Sequence, residues 1–135
     1  MFKVTKILSL HTDPDILNLL HLILERAGYE HLYTSDTQTA LSILRQEPID
    51  LLIQNLMRPD INGCEFYEMM QNDEQLRNTP VLIISALNPT LIPETYFNMI
   101  SKLYPHHYLV MPFSPQTLIK TVQSILAEPQ TTQSN

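Results

Sequence analysis

The 135-residue sequence has one cysteine, eight lysines and arginines, and no long apolar run. The single cysteine, Cys64, excludes an internal disulfide framework and is typical of a reducing compartment. The basic residues do not cluster and the net charge is −6, which argues against direct binding to nucleic acid or to an anionic membrane. The apolar runs are too short for a membrane span or a signal peptide. We therefore expect a cytoplasmic protein.

The composition is that of one folded domain. Hydrophobic residues make up 44% of the chain and charged residues 16%, which is typical of a globular rather than a disordered protein. A length of 135 residues suits one compact domain with a proper core. We expect this domain over residues 1–128 and a frayed polar tail over residues 129–135, with no attached effector domain.

Short apolar runs alternate with amphipathic stretches, which predicts βαβ units on a parallel sheet. Residues 51–53 and 81–84 are uninterrupted apolar runs, as expected for strands buried on both faces. The predicted strands are 6–10, 31–34, 50–54, 80–85 and 108–110, of which the second is weakly patterned and suits a sheet edge. The predicted helices are 14–27, 37–46, 64–71, 93–102 and 115–126. The pattern therefore predicts an α/β fold, a (βα)5 doubly wound domain with ligands at the carboxyl ends of its strands.

Specific residues mark the helix ends. Asp13 and Ser114 each precede a proline, which is the pairing of an N-cap with a proline at the first helical position. Gly28 can close the first helix in the left-handed conformation, and Pro48 stops the second.

Four segments carry a resemblance to a known family. Asn55 lies in the run Asp50-Leu-Leu-Ile-Gln-Asn55-Leu-Met-Arg-Pro-Asp-Ile-Asn-Gly63, a buried strand followed by a Met-x-Pro-x-x-x-Gly loop. The other segments are Ile7-Leu-Ser-Leu-His-Thr-Asp-Pro-Asp15, Thr79-Pro-Val-Leu-Ile-Ile-Ser-Ala86 and Tyr108-Leu-Val-Met-Pro-Phe-Ser-Pro115. Their order and spacing resemble the CheY-like receiver domain of response regulators over roughly residues 5–127. The resemblance implies a flavodoxin-like sheet and a role in two-component signal transduction.

An active receiver, as the resemblance implies, uses five functional positions. Two acids hold Mg²⁺, an aspartate accepts the phosphoryl group, and a Thr or Ser and a lysine contact that group. The acid pair falls on His11 and Thr12, and the acceptor falls on Asn55. The hydroxyl residue falls on Ser85 and the lysine on Met111, so only Ser85 fits.

The four substitutions remove the charges on which phosphoryl transfer depends. Asn55 cannot form an acyl phosphate, and Met111 supplies neither a charge nor a hydrogen-bond donor. Mg²⁺ needs carboxylate oxygens, which His11 and Thr12 do not offer. A lysine facing a site without carboxylates would be a poorly paired, partly buried charge, so the losses agree with one another. We expect no metal, no cofactor and no catalytic residue, and a site converted into core-like structure with a fixed conformation.

Three side chains have two interpretations each. His11 is either a metal ligand or proton switch, or a strand-end histidine bonded to Asn55 or to backbone; the second is favoured because no other strong ligand is near. Ser85 is either a residual switch or modified hydroxyl, or a small packed residue. Cys64 is either a redox-active thiol near a helix start or part of the packing.

These patterns predict a pseudo-receiver, a signalling module that acts without phosphorylation through contact with a protein partner such as a kinase, a regulator or an effector. One alternative is a ligand-binding or redox-sensing module that uses the neutral pocket or Cys64. Another is phosphorylation at a substitute residue such as Ser85 or His11. An enzyme is disfavoured because the sequence has no nucleophile–base pair, Gly-rich phosphate loop or metal triad.

The stretch from Ser85 to Met111 is longer than the usual receiver spacing by roughly one helical turn, so the fourth helix is expected to be rebuilt. In the family this region, with the fifth strand and the last helix, commonly meets partners. The residues predicted to form the interaction face are Tyr96, Phe97, Tyr108, Pro112 and Phe113.

Tyr108 is either an aromatic that changes rotamer on activation, as the family resemblance implies, or a static surface aromatic that anchors this face; the second is favoured because no phosphoryl signal is expected. Leu91, Ile92, Tyr96 and Phe97 have two interpretations: they form an apolar surface there, or half of them simply cover the sheet. The face would allow a homodimer, although no residue pattern requires one. The isomer of the Met111-Pro112 bond stays open, since X-Pro bonds adopt both forms.

Overall fold

The computed structural model describes residues 3–56 and 63–129, in which strands alternate with helices. The strands are β1 Lys6–Leu10, β2 Glu30–Thr34, β3 Leu51–Asn55, β4 Val81–Ser85 and β5 Tyr108–Val110. The helices are α1 Pro14–Arg26, α2 Thr37–Gln46, α3 Gly63–Gln71, α4 Phe97–Leu103 and α5 Pro115–Leu126. Two 3₁₀ turns, Pro89–Leu91 and Glu94–Tyr96, precede α4. None of the described helices is long and apolar enough to cross a membrane.

The five strands form one parallel sheet in the order β2-β1-β3-β4-β5. This order confirms the predicted doubly wound α/β fold and places the weakly patterned second strand at an edge. The chain steps outward in opposite directions from β1 and from β3, so the loops after these two strands diverge. The divergence leaves a crevice at the carboxyl edge of the sheet, where the predicted site residues lie.

The sheet separates two apolar layers. Side chains of β3 alternate between them: Leu52 joins the cluster under α2, α3 and α4, while Leu51 and Ile53 join the cluster under α1 and α5. All three are fully buried, as the uninterrupted apolar run predicts. Each such side chain contributes about 1.5–3 kcal/mol when it leaves water. The strands are therefore held on both faces, which fixes where their carboxyl ends meet.

The predicted helix caps are confirmed. The Asp13 carboxylate accepts a hydrogen bond from Asp15 N at 2.9 Å, and Ser114 Oγ accepts one from Thr117 N at 3.0 Å. These bonds satisfy backbone donors that the first helical turn leaves without an internal partner. Gly28 follows α1 with φ 95, a conformation that side chains with a Cβ rarely adopt. The two caps hold the amino ends of α1 and α5 next to the carboxyl edge of the sheet.

The fourth helix begins later than predicted. A start at Pro93 is wrong, because that residue has ψ 147 and is extended rather than helical. The chain instead forms the two 3₁₀ turns before α4 begins at Phe97. Residues 130–135 of the predicted polar tail lie outside the described residues.

Candidate functional site

Four of the five predicted site residues meet in one pocket. His11 directly follows β1, Asn55 ends β3, Ser85 ends β4 and Met111 directly follows β5. Together they line a cavity of about 170 Å³ at the carboxyl edge of the sheet. Parallel pairing explains the arrangement, because it brings the ends of successive strands to the same edge.

The fifth predicted residue joins the pocket through a hydrogen bond. Thr12 is exposed, and its Oγ1 accepts a hydrogen bond from Asn55 Nδ2 at 3.0 Å. Asn55 itself is only 6% exposed. The amide donates, which an ionised carboxylate cannot do. The bond therefore uses a property of asparagine and ties the end of β3 to the loop after β1.

His11 is held by the backbone, as one of its two interpretations predicts. Its side chain is 5% exposed, and Nδ1 accepts a hydrogen bond from Asp13 N at 3.0 Å. That bond occupies the lone pair through which Nδ1 would otherwise bind a metal. It also fixes the ring against the first residues of the cap of α1, so His11 acts here as a positioning group of the loop.

Ser85 is packed and bonded locally. It is 5% exposed, and its Oγ accepts a hydrogen bond from Leu87 N at 3.0 Å. The carbonyl of Ser85 accepts a hydrogen bond from Met111 N at 2.8 Å. The Met111–Pro112 bond that follows is cis. Ser85 thus matches the small packed residue of its second interpretation, and its burial disfavours modification by a kinase.

Gly63 allows α3 to approach the end of β3 closely. A Cβ at this position would lie 2.8 Å from the Asn55 carbonyl oxygen and 3.1 Å from Leu56 Cα. Both atoms belong to the backbone and cannot move aside cheaply. The glycine at the end of the Met-x-Pro-x-x-x-Gly pattern therefore has a steric reason. The rest of that loop, residues 57–62 with Asp60, lies outside the described residues.

The described lining of the pocket carries no Asp, Glu, Lys or Arg side chain. Magnesium, which the family resemblance implies, requires several oxygen ligands with at least one carboxylate. The donors present are the His11 ring, the Thr12 hydroxyl and the Asn55 amide, and they do not fit that ion. No group of three or more His, Cys, Asp or Glu side chains forms a metal site elsewhere in residues 3–56 and 63–129.

Tyr108 connects this pocket to the loop after β4. Its hydroxyl donates a hydrogen bond to the Leu87 carbonyl at 2.8 Å, and its ring meets that of Tyr104 edge-on at 5.9 Å. Burial raises the pKa of the phenol, and a hydrogen bond with Ser85 opposes that shift. Tyr108 therefore lies inward, against the residue at the hydroxyl position, and holds the segment after β4.

The expectation of a surface role for Tyr108 is wrong, because only 5% of it is exposed. Tyr96, a second member of the predicted interaction face, is 7% exposed and belongs to the core cluster under α4. Tyr108 belongs to the same core cluster. Phe97 is 54% exposed, Pro112 is exposed and Phe113 is half-buried.

The apolar residues around α4 divide between the core and the surface, as one of their two interpretations predicts. Ile92 and Tyr96 are buried and cover the sheet, whereas Leu91 and Phe97 are exposed. Val110 on the edge strand β5 is also exposed. An apolar surface thus remains near α4 and β5, built from different residues than the two tyrosines.

Cys64 is part of the packing. The thiol is buried, and Sγ lies 3.9 Å from the Thr95 carbonyl oxygen. Burial raises the pKa of the thiol, and the charges of Glu68 and Glu65 raise it further. A protonated thiol is a poor nucleophile, so the redox interpretation loses its chemical support.

A polar cluster under α1 has no counterpart in the sequence predictions. His31 of β2 is 4% exposed; its Nε2 lies 2.7 Å from Ser9 Oγ, and its Nδ1 lies 3.1 Å from His21 Nδ1. Burial, and then the nearby His21, lower the pKa of His31 to about 4. The only sequence signal for this cluster is that α1 and β2 each have a histidine, His21 and His31, on the inner face. The pattern of apolar and polar residues does not distinguish such a histidine from an ordinary core residue.

The described geometry agrees with comparisons to known proteins. The family model for the response regulator receiver domain matches residues 7–123. The chain is 26% identical over 126 residues to the polar-differentiation response regulator DivK of Brucella ovis, covering 93% of this chain and 99% of that one. It is 37% identical over 82 residues to the response regulator GtcR of Aneurinibacillus migulanus, a match that covers 61% of this chain but spans only 33% of that protein.

Solved structures of response regulators are also similar to this chain. The chemotaxis response regulator CheY4 of Vibrio cholerae superposes with a TM-score of 0.77 at 27% identity, covering 91% of this chain and 99% of that one. A putative response regulator from Chloroflexus aurantiacus superposes with a TM-score of 0.79 at 25% identity, covering 93% and 100%.

Proposed function

The chain belongs to the response regulator receiver domain family, a family of signalling domains, and from this premise we propose that it signals without being phosphorylated. The observation that carries the proposal is the described lining of the pocket, in which His11, Asn55, Ser85 and Met111 converge without a carboxylate or a cationic side chain. Phosphoryl transfer to a receiver requires an anionic acceptor together with cations that neutralise the phosphoryl oxygens. None of the described residues at this site supplies either.

The hydrogen bonds of the pocket support a single fixed conformation. Asn55 bonds Thr12 at 3.0 Å, which joins the loops after β1 and β3. Tyr108 bonds the Leu87 carbonyl at 2.8 Å, which joins β5 to the loop after β4. Both bonds are made within the protein, so the loops are held without a phosphoryl group. The domain would then present the same surface at all times.

We propose that the output is contact with a protein partner, with no catalytic activity of its own and a location in the cytoplasm. The surface near α4 and β5 supports contact, because Leu91, Phe97 and Val110 are 70%, 54% and 39% exposed there. Exposed aromatic and large apolar side chains commonly anchor interfaces. The partner is a kinase, a regulator, an effector or a second copy of the chain.

The proposal is tested by NMR with beryllofluoride and Mg²⁺, which mimic an acyl phosphate on an aspartate. We expect the amide spectrum of the native chain to stay unchanged. A variant with His11→Asp, Thr12→Asp, Asn55→Asp and Met111→Lys serves as the positive control and should respond. Saturable shifts around residues 11, 55 and 111 in the native chain would contradict the proposal.

The pocket also favours a second candidate function, the binding of a small uncharged ligand. Its volume of about 170 Å³ and its His11, Asn55 and Ser85 side chains suit a compact polar molecule. Thermal shift assays against a library of small amides, alcohols and sugars would detect such a ligand. A thermal shift that Asn55→Leu abolishes would support this candidate function. The absence of a shift with every compound would contradict it.

A further inference from the structure

A polar cavity lies at the amino edge of the sheet, at the opposite end of the strands from the pocket of His11 and Asn55. Its volume is about 280 Å³, and it shares no lining residue with that pocket. The ends of α3 and α5 and the segments that precede β4 and β5 enclose it. These parts meet at the amino edge because each helix of a parallel sheet runs back against the strands. The cavity is therefore a separate feature of the fold.

A group of polar side chains on the wall of this cavity has no partner within the described part of the chain. The group consists of Tyr67, Gln71, Arg77, Asn78 and Thr79. None of these side chains makes a hydrogen bond or an ion pair with another group of residues 3–56 and 63–129. Convergent polar groups that line a cavity in this way are typical of a site at which a ligand supplies the partners.

Each of these side chains can donate a hydrogen bond. Burial raises the pKa of the Tyr67 phenol, so its hydroxyl stays protonated at neutral pH. The Arg77 guanidinium keeps its charge and offers several donors in one plane. The amides of Gln71 and Asn78 and the hydroxyl of Thr79 donate as well. A ligand that satisfies this set needs acceptor atoms, and an oxyanion suits it best.

The charges on the cavity wall also favour an anion. Glu128 Oε1 lies 2.9 Å from His107 Nε2, and His107 Nδ1 lies 2.9 Å from the Val81 carbonyl oxygen. The Glu128 carboxylate therefore already has a partner inside the protein. Arg77 forms no ion pair with the residues that the structure describes, whereas Arg45 forms one. The wall thus offers a cation that a ligand can pair.

Part of the lining is apolar. Val81, Leu103 and Ile125 face the cavity and otherwise belong to the buried core. A simple inorganic ion would leave this part of the wall in contact with water, whereas an apolar group would cover it. The volume lies just below the range of about 300–1,000 Å³ that is usual for ligand pockets, so the ligand is small.

We propose that the amino-edge cavity binds a small organic carboxylate with an apolar body, of the class of aromatic or branched-chain acids. The carboxylate accepts hydrogen bonds from Arg77 and Asn78. The apolar body covers Val81, Leu103 and Ile125. This ligand differs in charge and in place from the uncharged molecule considered for the carboxyl-edge pocket. The proposal involves no phosphoryl chemistry and does not rest on the proposed function.

Phenylacetate tests the proposal, with phenylacetamide as its uncharged counterpart and inorganic phosphate as an oxyanion without an apolar body. Each compound is titrated into the full chain, and its dissociation constant is taken from amide NMR shifts. We expect saturable shifts with phenylacetate, confined to residues 66–81, 102–108 and 124–129. One exposed charge-assisted contact predicts that phenylacetate binds about threefold to tenfold more tightly than phenylacetamide. Phosphate should bind more weakly than phenylacetate, because it cannot cover the apolar lining.

Two arginine variants identify the cation responsible. Arg77→Gln should remove the preference for phenylacetate over phenylacetamide, because the new side chain carries no charge. Arg26→Gln changes another exposed arginine, on α1 and outside the cavity, and should leave the preference unchanged. Tyr67→Phe keeps the ring but removes the hydroxyl, and should weaken phenylacetate binding about threefold. The urea midpoint and the amide spectrum of each variant show that it is folded.

Several results would overturn the proposal. These are an absence of saturable shifts with phenylacetate, equal binding of phenylacetate and phenylacetamide, and a preference that Arg77→Gln leaves unchanged. Shifts that map to residues 11, 55 and 85 would place the ligand in the carboxyl-edge pocket instead. Phosphate binding as tight as phenylacetate binding would show that the apolar lining takes no part. The beryllofluoride titration concerns the other edge of the sheet, so this proposal and the proposed function can fail separately.

Discussion

The two edges of the sheet differ in their charged side chains. At the amino edge, where β1 and β3 begin, Lys3 pairs with Asp50 at 2.6 Å and Lys6 with Glu47 at 2.7 Å. At the carboxyl edge, the described lining of the pocket between the same strands carries no Asp, Glu, Lys or Arg. The pairs at the amino edge are solvated on at least one side, whereas Asn55 and Ser85 are almost fully buried.

The difference agrees with what burial does to charged groups. An ionised group in water needs no partner, but a buried one without a partner is destabilising by several kcal/mol. The absence of charged side chains from the described pocket lining, with ion pairs at the more exposed amino edge, agrees with that physical expectation.

The largest effect of a new charge is expected at Asn55 in the pocket. Asn55→Asp introduces a buried carboxylate and removes the hydrogen bond donated to Thr12, so we expect a loss of about 2–4 kcal/mol in unfolding free energy at pH 7. Urea denaturation measures it. Adding Met111→Lys should restore part of the loss through the opposite charge. A fully stable single variant would show that the pocket tolerates charge.

The buried His31 also tests whether an unpaired buried charge destabilises the fold. Its pKa in the folded chain is lowered to about 4 from the ordinary 6.5, so the folded state binds fewer protons than the unfolded state. The stabilisation is complete above pH 6.5 and is lost progressively as the pH falls towards 4. We expect a decrease on the order of 2 kcal/mol across that window, after allowing for partial solvent access.

The measurement is unfolding free energy against pH. His31→Gln should flatten the slope between pH 4 and 6.5, while His106→Gln, at an exposed histidine, should not. The groups that face His31 are His21 and Glu25 of α1 and Tyr33 of β2, so His21→Gln is the second variant to examine. A slope that persists in both variants would assign the titration to other groups.

Tyr108 tests how firmly the pocket is fixed. Tyr108→Phe removes the hydroxyl that bonds the Leu87 carbonyl, and we expect a loss of about 1 kcal/mol in unfolding free energy. Faster hydrogen exchange should appear at residues 85–91 and not in α1. Tyr33→Phe, at a tyrosine that is 44% exposed, is the matched control. Unchanged exchange in the loop would show that packing alone holds it.

The smallest effect is expected at the amino edge. Lys6→Met removes the exposed ion pair with Glu47, and pairs of this kind contribute little because water and salt screen them. The urea midpoint should stay within experimental error of the native value. A clear decrease in the urea midpoint would show that the amino edge depends on its charges. Solvent exposure alone would then not explain the difference between the two edges.

Much of the fold follows from local patterns. The uninterrupted apolar runs at 51–53 and 81–84 predict strands buried on both faces, and the caps at Asp13 and Ser114 predict the starts of α1 and α5. Both predictions are confirmed because they depend on the few residues next to them. The start of α4 could not be predicted in this way, since its 3₁₀ turns depend on how Tyr96 and Ile92 fill the space over the sheet.

The candidate site divides similarly. The sequence alone determined that His11, Asn55 and Met111 supply no carboxylate or lysine, because chemical identity does not depend on folding. Only the tertiary structure decided that Tyr108 points inward, that Asn55 donates to Thr12 and that Leu19 and Leu22 stay exposed. These facts depend on contacts between residues far apart in the chain. Side-chain direction and burial are set by the neighbours that the whole fold assembles, and no local pattern contains them.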